Sequence, residues 1–268
     1  MTVVSARPGI DEDLRAAGLD GLAGLPREPV FLDDLYPAAF TGSLPASPLV
    51  AEIARVTAAA VVAALLADRS VPGTVPAGGQ ICTLFAVDIA GFTRPDRDDD
   101  IRRYLHEKLY EFLEKAFDDS GISWVGCCSE DRGDGALVVI PPDIPGKGII
   151  DPLPERLRSL IRRHNHVSCE AARLQLRVAA HIGPVDHDGH GFVGTDVNLL
   201  FRMLEARPLK QALAATGADL ALIVSDYVYG NLVCRYPSLA SPDAFQVARF
   251  QVKHTRAKAW TYLPGVER

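Results

Sequence analysis

The 268-residue chain predicts an α+β sandwich preceded by a helical extension. Strand-like and helix-like segments alternate from Gln80 onward in the order β-α-β-β-α-β, followed by further strands and helices. At 48% hydrophobic residues, the chain has enough apolar side chains for a full core and does not read as a disordered type. Residues 1–79 break the alternation and read as a separate extension.

Within 1–79, the first 46 residues mix Pro, Asp and Leu with little periodicity. A helix is expected from about Ser47 to Asp68, with Ser47 as its N-cap. Its most apolar stretch, Val56–Ala67, is shorter than the roughly 20 residues a membrane span needs. Ser70–Gly79 is a Pro/Gly linker by composition. The main domain, 80–268, opens with a continuous apolar run over Ile81–Asp88, read as a strand. The helix that follows places Ile101, Leu105, Leu109, Phe112, Leu113 and Phe117 on one face, and Asp98–Asp100 suit its positive end.

Ile122–Cys128 and Ala136–Ile140 read as the two strands of a hairpin around the turn "SEDRGDG". "LPERLRSLIRRHNHV" is a second amphipathic helix, with Leu153, Leu157, Leu160 and Ile161 facing inward. Leu174–Ile182 alternates as a strand and leads into the hairpin turn "GPVDHDGHGFVG". "DVNLLFRMLEA" and "LKQALAAT" are helices, "LALIVS" a strand and "DYVYGNLV" a short helix. "FQVARFQV" and "KAWTYL" close the chain as an antiparallel pair. The leading β-α-β-β-α-β order is the ferredoxin-like one.

Charge and cysteines narrow the functional classes. A net charge of −6 argues against a nucleic-acid binder, which needs a basic face. An RNA-binding ferredoxin-like sheet would also carry exposed aromatics on its central strands. Five cysteines without C-x-x-C spacing read as reduced thiols in a cytoplasmic protein, with no signal peptide and no membrane span. His181, His187 and His190 surround "DHDGHG", which reads as a hairpin turn rather than a metal site.

The candidate chemistry lies with two acids. Asp88 ends the first strand, and Asp134 sits in the hairpin turn. The predicted sheet places that hairpin beside the first strand. Two carboxylates a few ångströms apart repel unless a cation stands between them, and Mg²⁺ or Mn²⁺ commonly bridges carboxylates to phosphates. The small-residue turn "AGFT" after Asp88 offers backbone N–H groups to an anion.

Four segments, "FAVDIAGFT", "EDRGDGALVV", "GFVGTDVNLLFRMLEA" and "VKHTRAKAWTYL", resemble in order the signature segments of class III nucleotidyl (adenylate/guanylate) cyclase catalytic domains. The resemblance covers about Ile81–Leu263. It implies a sandwich of the class III cyclase type that converts a nucleoside triphosphate to a 3′,5′-cyclic nucleotide and pyrophosphate, using two Mg²⁺ or Mn²⁺ ions per active site. On this likeness Asp88 and Asp134 are the metal acids, and Ile89 adds its backbone carbonyl. Gly91, Phe92 and Thr93 form the loop over the β- and γ-phosphates, and Lys253 contacts the triphosphate. Asn198 orients the ribose, and Arg202 stabilises charge on the transferring phosphorus. The two lie four residues apart, on one helix face. The family builds each site from two subunits, so a head-to-tail homodimer is implied.

The base-reading positions depart from the adenylate pattern. Glu130 stands where adenylate-type members carry Lys, as in guanylate-type members. The second position falls on Gly191, which has no side chain to read a base. GTP is therefore favoured, through a single reader, and a pyrimidine or a rearranged pocket stays open. The absent second reader also keeps an alternative open: a catalytically silent cyclase-like domain that binds a nucleotide and acts as a regulatory or scaffolding module.

Overall fold

A computed structural model describes residues 75–266, together with a two-residue antiparallel pairing of Val3–Val4 with Val30–Phe31. The expected helix from Ser47 to Asp68 lies outside the described residues. The chain divides into two compact units, Met1–Ser70 and Val71–Arg268.

The second unit contains strand β1 (Gln80–Ile89), helix α1 (Asp99–Asp119), strands β2 (Cys128–Asp131) and β3 (Gly135–Ile140), and helix α2 (Leu153–Val167). It continues with β4 (Leu176–His187), the short β5 (Phe192–Val193), α3 (Thr195–Leu204), α4 (Arg207–Thr216), β6 (Leu220–Ser225), β7 (Gln246–Val252) and β8 (Thr255–Tyr262). The strand order in the sheet is β2-β3-β1-β4-β6-β8-β7, with β5 added to β4. All neighbouring pairs are antiparallel except β4–β6, which is parallel.

The period-two alternation of β1 divides the core between the two faces of the sheet. Phe85, Val87 and Ile89 pack with α1 and α2, through Leu105, Leu109, Phe117, Leu157 and Ile161. Cys82, Leu84 and Ala86 point the other way, toward Leu200, Met203 and Leu204 of α3 and Leu209 and Leu213 of α4. Asp98 caps α1 by accepting from the Ile101 amide at 2.9 Å, at the end where an acid complements the helix dipole. Helix α4 ends on Gly217 at φ 64°, a left-handed cap that glycine adopts without steric cost.

The hairpin differs from its sequence reading. Its first strand is Cys128–Asp131, not Ile122–Cys128. The amides before it are used locally: Trp124 N–H donates to Asp118 Oδ1, Gly126 N–H to Ser123 Oγ, and Cys127 N–H to the Trp124 carbonyl. With those donors spent on a turn, and Ile122 buried in the α1 side of the core, the segment cannot join the ladder. None of the five cysteines is in a disulfide.

β1 and β3 approach most closely where Asp88 pairs with Gly135. A Cβ added at Gly135 would stand 2.0 Å from the Val87 carbonyl oxygen, a backbone atom that cannot swing away. Gly135→Ala should therefore part the strands beside Asp88. The expected cost is about 2–3 kcal/mol, read as a lower urea midpoint with an unchanged m-value. An unaltered midpoint would show that the two strands tolerate the separation.

Candidate active site

The centre of the site is the C-terminal end of β1. Asp88 lies between two partners on neighbouring strands: Gly135 on β3 and Arg177 on β4. The next amide, Ile89 N–H, donates to the Asp134 carbonyl at 2.8 Å, which ties the β2–β3 turn to the strand end. The structure thus brings Asp88, Ile89 and Asp134 together, as the sequence led us to expect. Arg132–Asp134 form a tight turn in which Gly133 holds φ 82°. Asp131, just before it, accepts from the Gly133 amide at 2.7 Å and from the Tyr110 hydroxyl at 3.0 Å, and lies 2.6 Å from His106 Nε2. Two side chains of α1 therefore hold the turn that carries Asp134.

Sequence reasoning missed the two cations near Asp88. Arg177 Nε donates to Asp88 Oδ1 at 2.7 Å, and both side chains are largely buried. Lys210 on α4 acts on the carboxylate as a further positive charge. Burial in the sheet pushes the Asp88 carboxyl up to about 6; the Arg177 and Lys210 charges oppose this, and the neighbouring Asp134 adds to it. Arg177 had one sequence signal, as the lone charge between Leu176 and Val178 in an apolar strand. Reading that signal required the β1–β4 register.

The loop after β1 turns on Gly91 at φ 65°, where the Phe92 amide donates back to the Ile89 carbonyl at 3.2 Å. That carbonyl keeps a second lone pair. The Gly91 and Thr93 amides have no hydrogen-bond partner among the described residues, and Thr93 is exposed. Phe92 anchors the loop against the α1–α2 side of the core. The oxygens of Asp88, Asp134 and the Ile89 carbonyl make an all-oxygen donor set, the kind Mg²⁺ or Mn²⁺ takes, with several positions left for water or phosphate. Among the described residues there is no group of three or more His, Cys, Asp or Glu side chains arranged to hold a metal.

Glu130 and Gly191 also meet. The Phe192 amide donates to Glu130 Oε1 at 2.6 Å, and Arg132 forms an ion pair with the same carboxylate. A Cβ at Gly191 would lie 2.9 Å from Glu130 Oε1, so the carboxylate occupies the space a side chain there would take.

Lys253 and the first turn of α3 stand apart from this centre, whereas farther along α3 the Phe201 ring, next to Arg202, lies 5.1 Å from the Arg132 guanidinium of the β2–β3 turn. Asn198 and Arg202 lie on α3, and their side chains have no partner among the described residues. The first turn of α3 is pinned by Asp196, whose carboxylate accepts from His181 Nε2 at 2.7 Å; with that tautomer, His181 Nδ1 accepts from the Ser225 hydroxyl at 2.8 Å. Asp196 presses so close to β4 that a Cβ at Gly183 would meet its Cγ at 2.5 Å. Gly183 pairs with Cys82, and six residues of β1 then separate it from Asp88, about 20 Å of strand. Lys253 occupies the two-residue β7–β8 turn at φ 53°. β7 is four strands from β1, about 19 Å across the sheet.

The described residues form an α+β fold that resembles the catalytic domain of class III adenylate/guanylate cyclases. Among solved structures, an adenylate/guanylate cyclase/hydrolase from Silicibacter pomeroyi matches with a TM-score of 0.50 at 18% identity, over 70% of this chain and 98% of that one. The guanylate cyclase domain of RhGC from Catenaria anguillulae, in complex with GTP, matches at 0.45 and 17% identity, over 69% of this chain and 97% of that one. The guanylyl cyclase domain of the RhoGC fusion protein from Blastocladiella emersonii matches at 0.45 and 17%, over 69% and 96%. At these identities the likeness is one of fold. No family model and no curated protein sequence matches the chain.

The Asp88 environment predicts a pH signature. Its folded pKa of about 6 lies above the ordinary 3.8. Between those values the folded protein holds a proton that the unfolded chain has released, so stability falls as pH rises through that interval. In metal-free buffer, Asp88→Asn should match the wild type near pH 4 and exceed it near pH 7 by about 1–3 kcal/mol, measured by urea unfolding. Equal effects at both pH values would show that the charged carboxylate carries no desolvation cost.

Proposed function

We propose that the domain is a nucleotidyl cyclase that converts a nucleoside triphosphate to a 3′,5′-cyclic nucleotide and pyrophosphate at sites shared by two identical chains. The observation that carries this reading is the meeting of Asp88, Asp134 and the Ile89 carbonyl beside a loop with two unpartnered amides. Two acids at a buried strand end, one held above its ordinary pKa, gain from a divalent cation that relieves both repulsion and desolvation. Asp88, Asp134 and Ile89 would hold the Mg²⁺ or Mn²⁺ ions, two per site. Such ions lower the pKa of a ribose hydroxyl and neutralise phosphate charge. Gly91, Phe92 and Thr93 then cradle the β- and γ-phosphates. To hold such an ion Asp88 would have to be ionised and would share its carboxylate between the ion and Arg177.

The separation within one chain supports the shared site. Four strand spacings, about 19 Å, lie between β1 and the β7 strand that leads to Lys253, a reason to look to a second chain for that residue. A second copy, docked head-to-tail, supplies Asn198 to orient the ribose and Arg202 to meet charge on the α-phosphorus. Lys253 of that copy contacts the triphosphate. The leading strand order, which reads β4-β1-β3-β2 across the sheet, supports assigning the domain to the ferredoxin-like group. We keep the working boundary at 79/80 and a cytoplasmic location; among the described residues no helix is long and apolar enough to cross a membrane. The silent-module alternative is favoured by one observation, the commitment of Asp88 to Arg177.

Purified protein incubated with ATP, GTP, CTP or UTP and Mn²⁺ should yield a cyclic product by mass spectrometry. Asp88→Ala and Arg202→Ala should each abolish it. Mixing the two should restore about a quarter of the activity, since half the dimers are mixed and each has one intact site. No product from any of the four nucleotides would leave the silent module as the reading.

The base reader gives a separate test. A carboxylate accepts hydrogen bonds, and guanine presents two donors on its Watson–Crick edge, so Glu130 favours GTP. Because the same carboxylate already serves Arg132 and the Phe192 amide, the margin should be modest, about 1–3 kcal/mol. Glu130→Lys should lower kcat/KM for GTP more than for ATP. An unchanged ranking would remove Glu130 from the base pocket.

A further inference from the structure

At the end of the sheet where β1 stops, a cleft of about 1070 Å³ opens between the loop after β1, helix α2 and the segment leading into β4, with the α4–β6 turn completing its rim. Six arginines from these three segments line it: Arg94, Arg97, Arg158, Arg162, Arg163 and Arg173. The lining acids are Glu170 and Asp219. Three of the arginines are neutralised, Arg94 by Asp96, Arg158 by Glu155 and Arg173 by Glu170. Among the described residues Arg162 and Arg163 have no ion pair, and Asp219 is engaged by Asn165.

Arg97 forms part of the wall. It is 2% exposed, and its guanidinium donates to the Ala171, Gly91 and Arg173 carbonyls at 3.0, 3.0 and 2.7 Å, with no carboxylate partner. Carbonyl dipoles satisfy its donors, and Asp96 and Glu170 act on its charge only from beyond ion-pair distance. Arginines near a helix C-terminus also suit the dipole, which accounts for Arg162 and Arg163 taken singly. It does not account for cations from three separate segments converging on one concavity in a chain of net charge −6.

From this convergence we infer that the cleft binds an inorganic oligophosphate, of the pyrophosphate-to-polyphosphate class. Forked guanidiniums match phosphate oxygens in pairs, and several such forks select a chain of phosphates over a single one. Among the described residues no Phe, Tyr or Trp lines the cleft, and His166 and the guanidinium planes are all it offers for a base to stack on, whereas every one of its six arginines can meet a phosphate. The site is distinct from the carboxylate centre: α2 packs on the face of β1 carrying Phe85, Val87 and Ile89, whereas Asp88 points to the α3–α4 face. Among the described residues the two sites meet at the Ala90–Gly91 turn and at helix α4, whose Lys210 acts on Asp88 and whose cap Gly217 borders the cleft. This inference does not depend on the cyclase reading.

The test is calorimetric titration of the full chain with sodium tripolyphosphate in buffer containing a chelator, so that no divalent cation takes part. Saturable one-to-one binding that weakens with added salt is expected. Arg162→Ala combined with Arg163→Ala should weaken it about tenfold or more. Arg162→Lys with Arg163→Lys, which keeps the charge and loses the fork, should give an intermediate loss and serves if the alanine pair does not fold. Asp88→Asn should bind as the wild type does, which separates failure here from failure of the cyclase assignment. Arg249→Ala with Arg256→Ala, at a second basic depression on β7 and β8, should also leave binding unchanged. Absence of binding at millimolar tripolyphosphate would overturn the inference. So would equal binding by the Arg162/Arg163 variants, an equal loss at Arg249/Arg256, or capture of single-stranded RNA with tripolyphosphate refused.

Discussion

The central position of β1 is the constraint on which the candidate site depends. All ten of its residues pair antiparallel with β4 and six of them, Thr83–Asp88, also with β3, so that both ladders reach Asp88. A strand buried on both faces and both edges has no freedom to slip, since a one-residue shift would exchange Asp88 with Val87 or Ile89 and put the carboxylate into the α1–α2 core. Gly135 then lets β3 approach closely, and the Ile89–Asp134 backbone bond fixes the turn. The acids meet because the ladders leave them no other place.

That placement has a cost and a response. A carboxylate at a buried strand end is desolvated, and a second acid beside it makes matters worse. The protein answers with Arg177 across the sheet and Lys210 from α4, yet the proton affinity of Asp88 still rises. A group in this condition is only partly neutralised by the chain itself. On the proposed reading, a divalent cation held by Asp88 and Asp134 would complete what Arg177 begins, and its binding would be linked to protonation of Asp88.

The two faces of the same sheet divide the electrostatics. Toward α3 and α4 lie the acids, with Glu130 held at the β2 edge. Behind α2, arginines from three segments face one another around buried Arg97. The short turn from Ala90 to Gly91 and helix α4 border both regions. Two regions of opposite sign can stand so near because a layer of Phe85, Val87, Ile89, Leu157 and Ile161 lies between them. That apolar layer keeps carboxylates and guanidiniums from collapsing into mutual salt bridges.

The sequence by itself determined the element order, the inward faces of α1 and α2, and the pairing of Asp88 with Asp134. These follow from short-range regularities: apolar periodicity, an acid where an apolar run stops, and Gly133 in a turn that needs positive φ. Tertiary structure alone decided the rest. Ile122–Cys127 looks like a strand by composition, but Asp118, Ser123 and Trp124 take its amides into a turn. Arg177 is 89 residues from Asp88, and the arginines around Arg97 come from separate segments, so no local pattern announces either grouping. The distance from Asp88 to the first turn of α3 and to Lys253 is likewise a property of sheet order and register. A sequence states which residues are present and how each segment repeats; which charges face one another is set when the strands close, because Coulomb energy and desolvation depend on separation in space rather than along the chain.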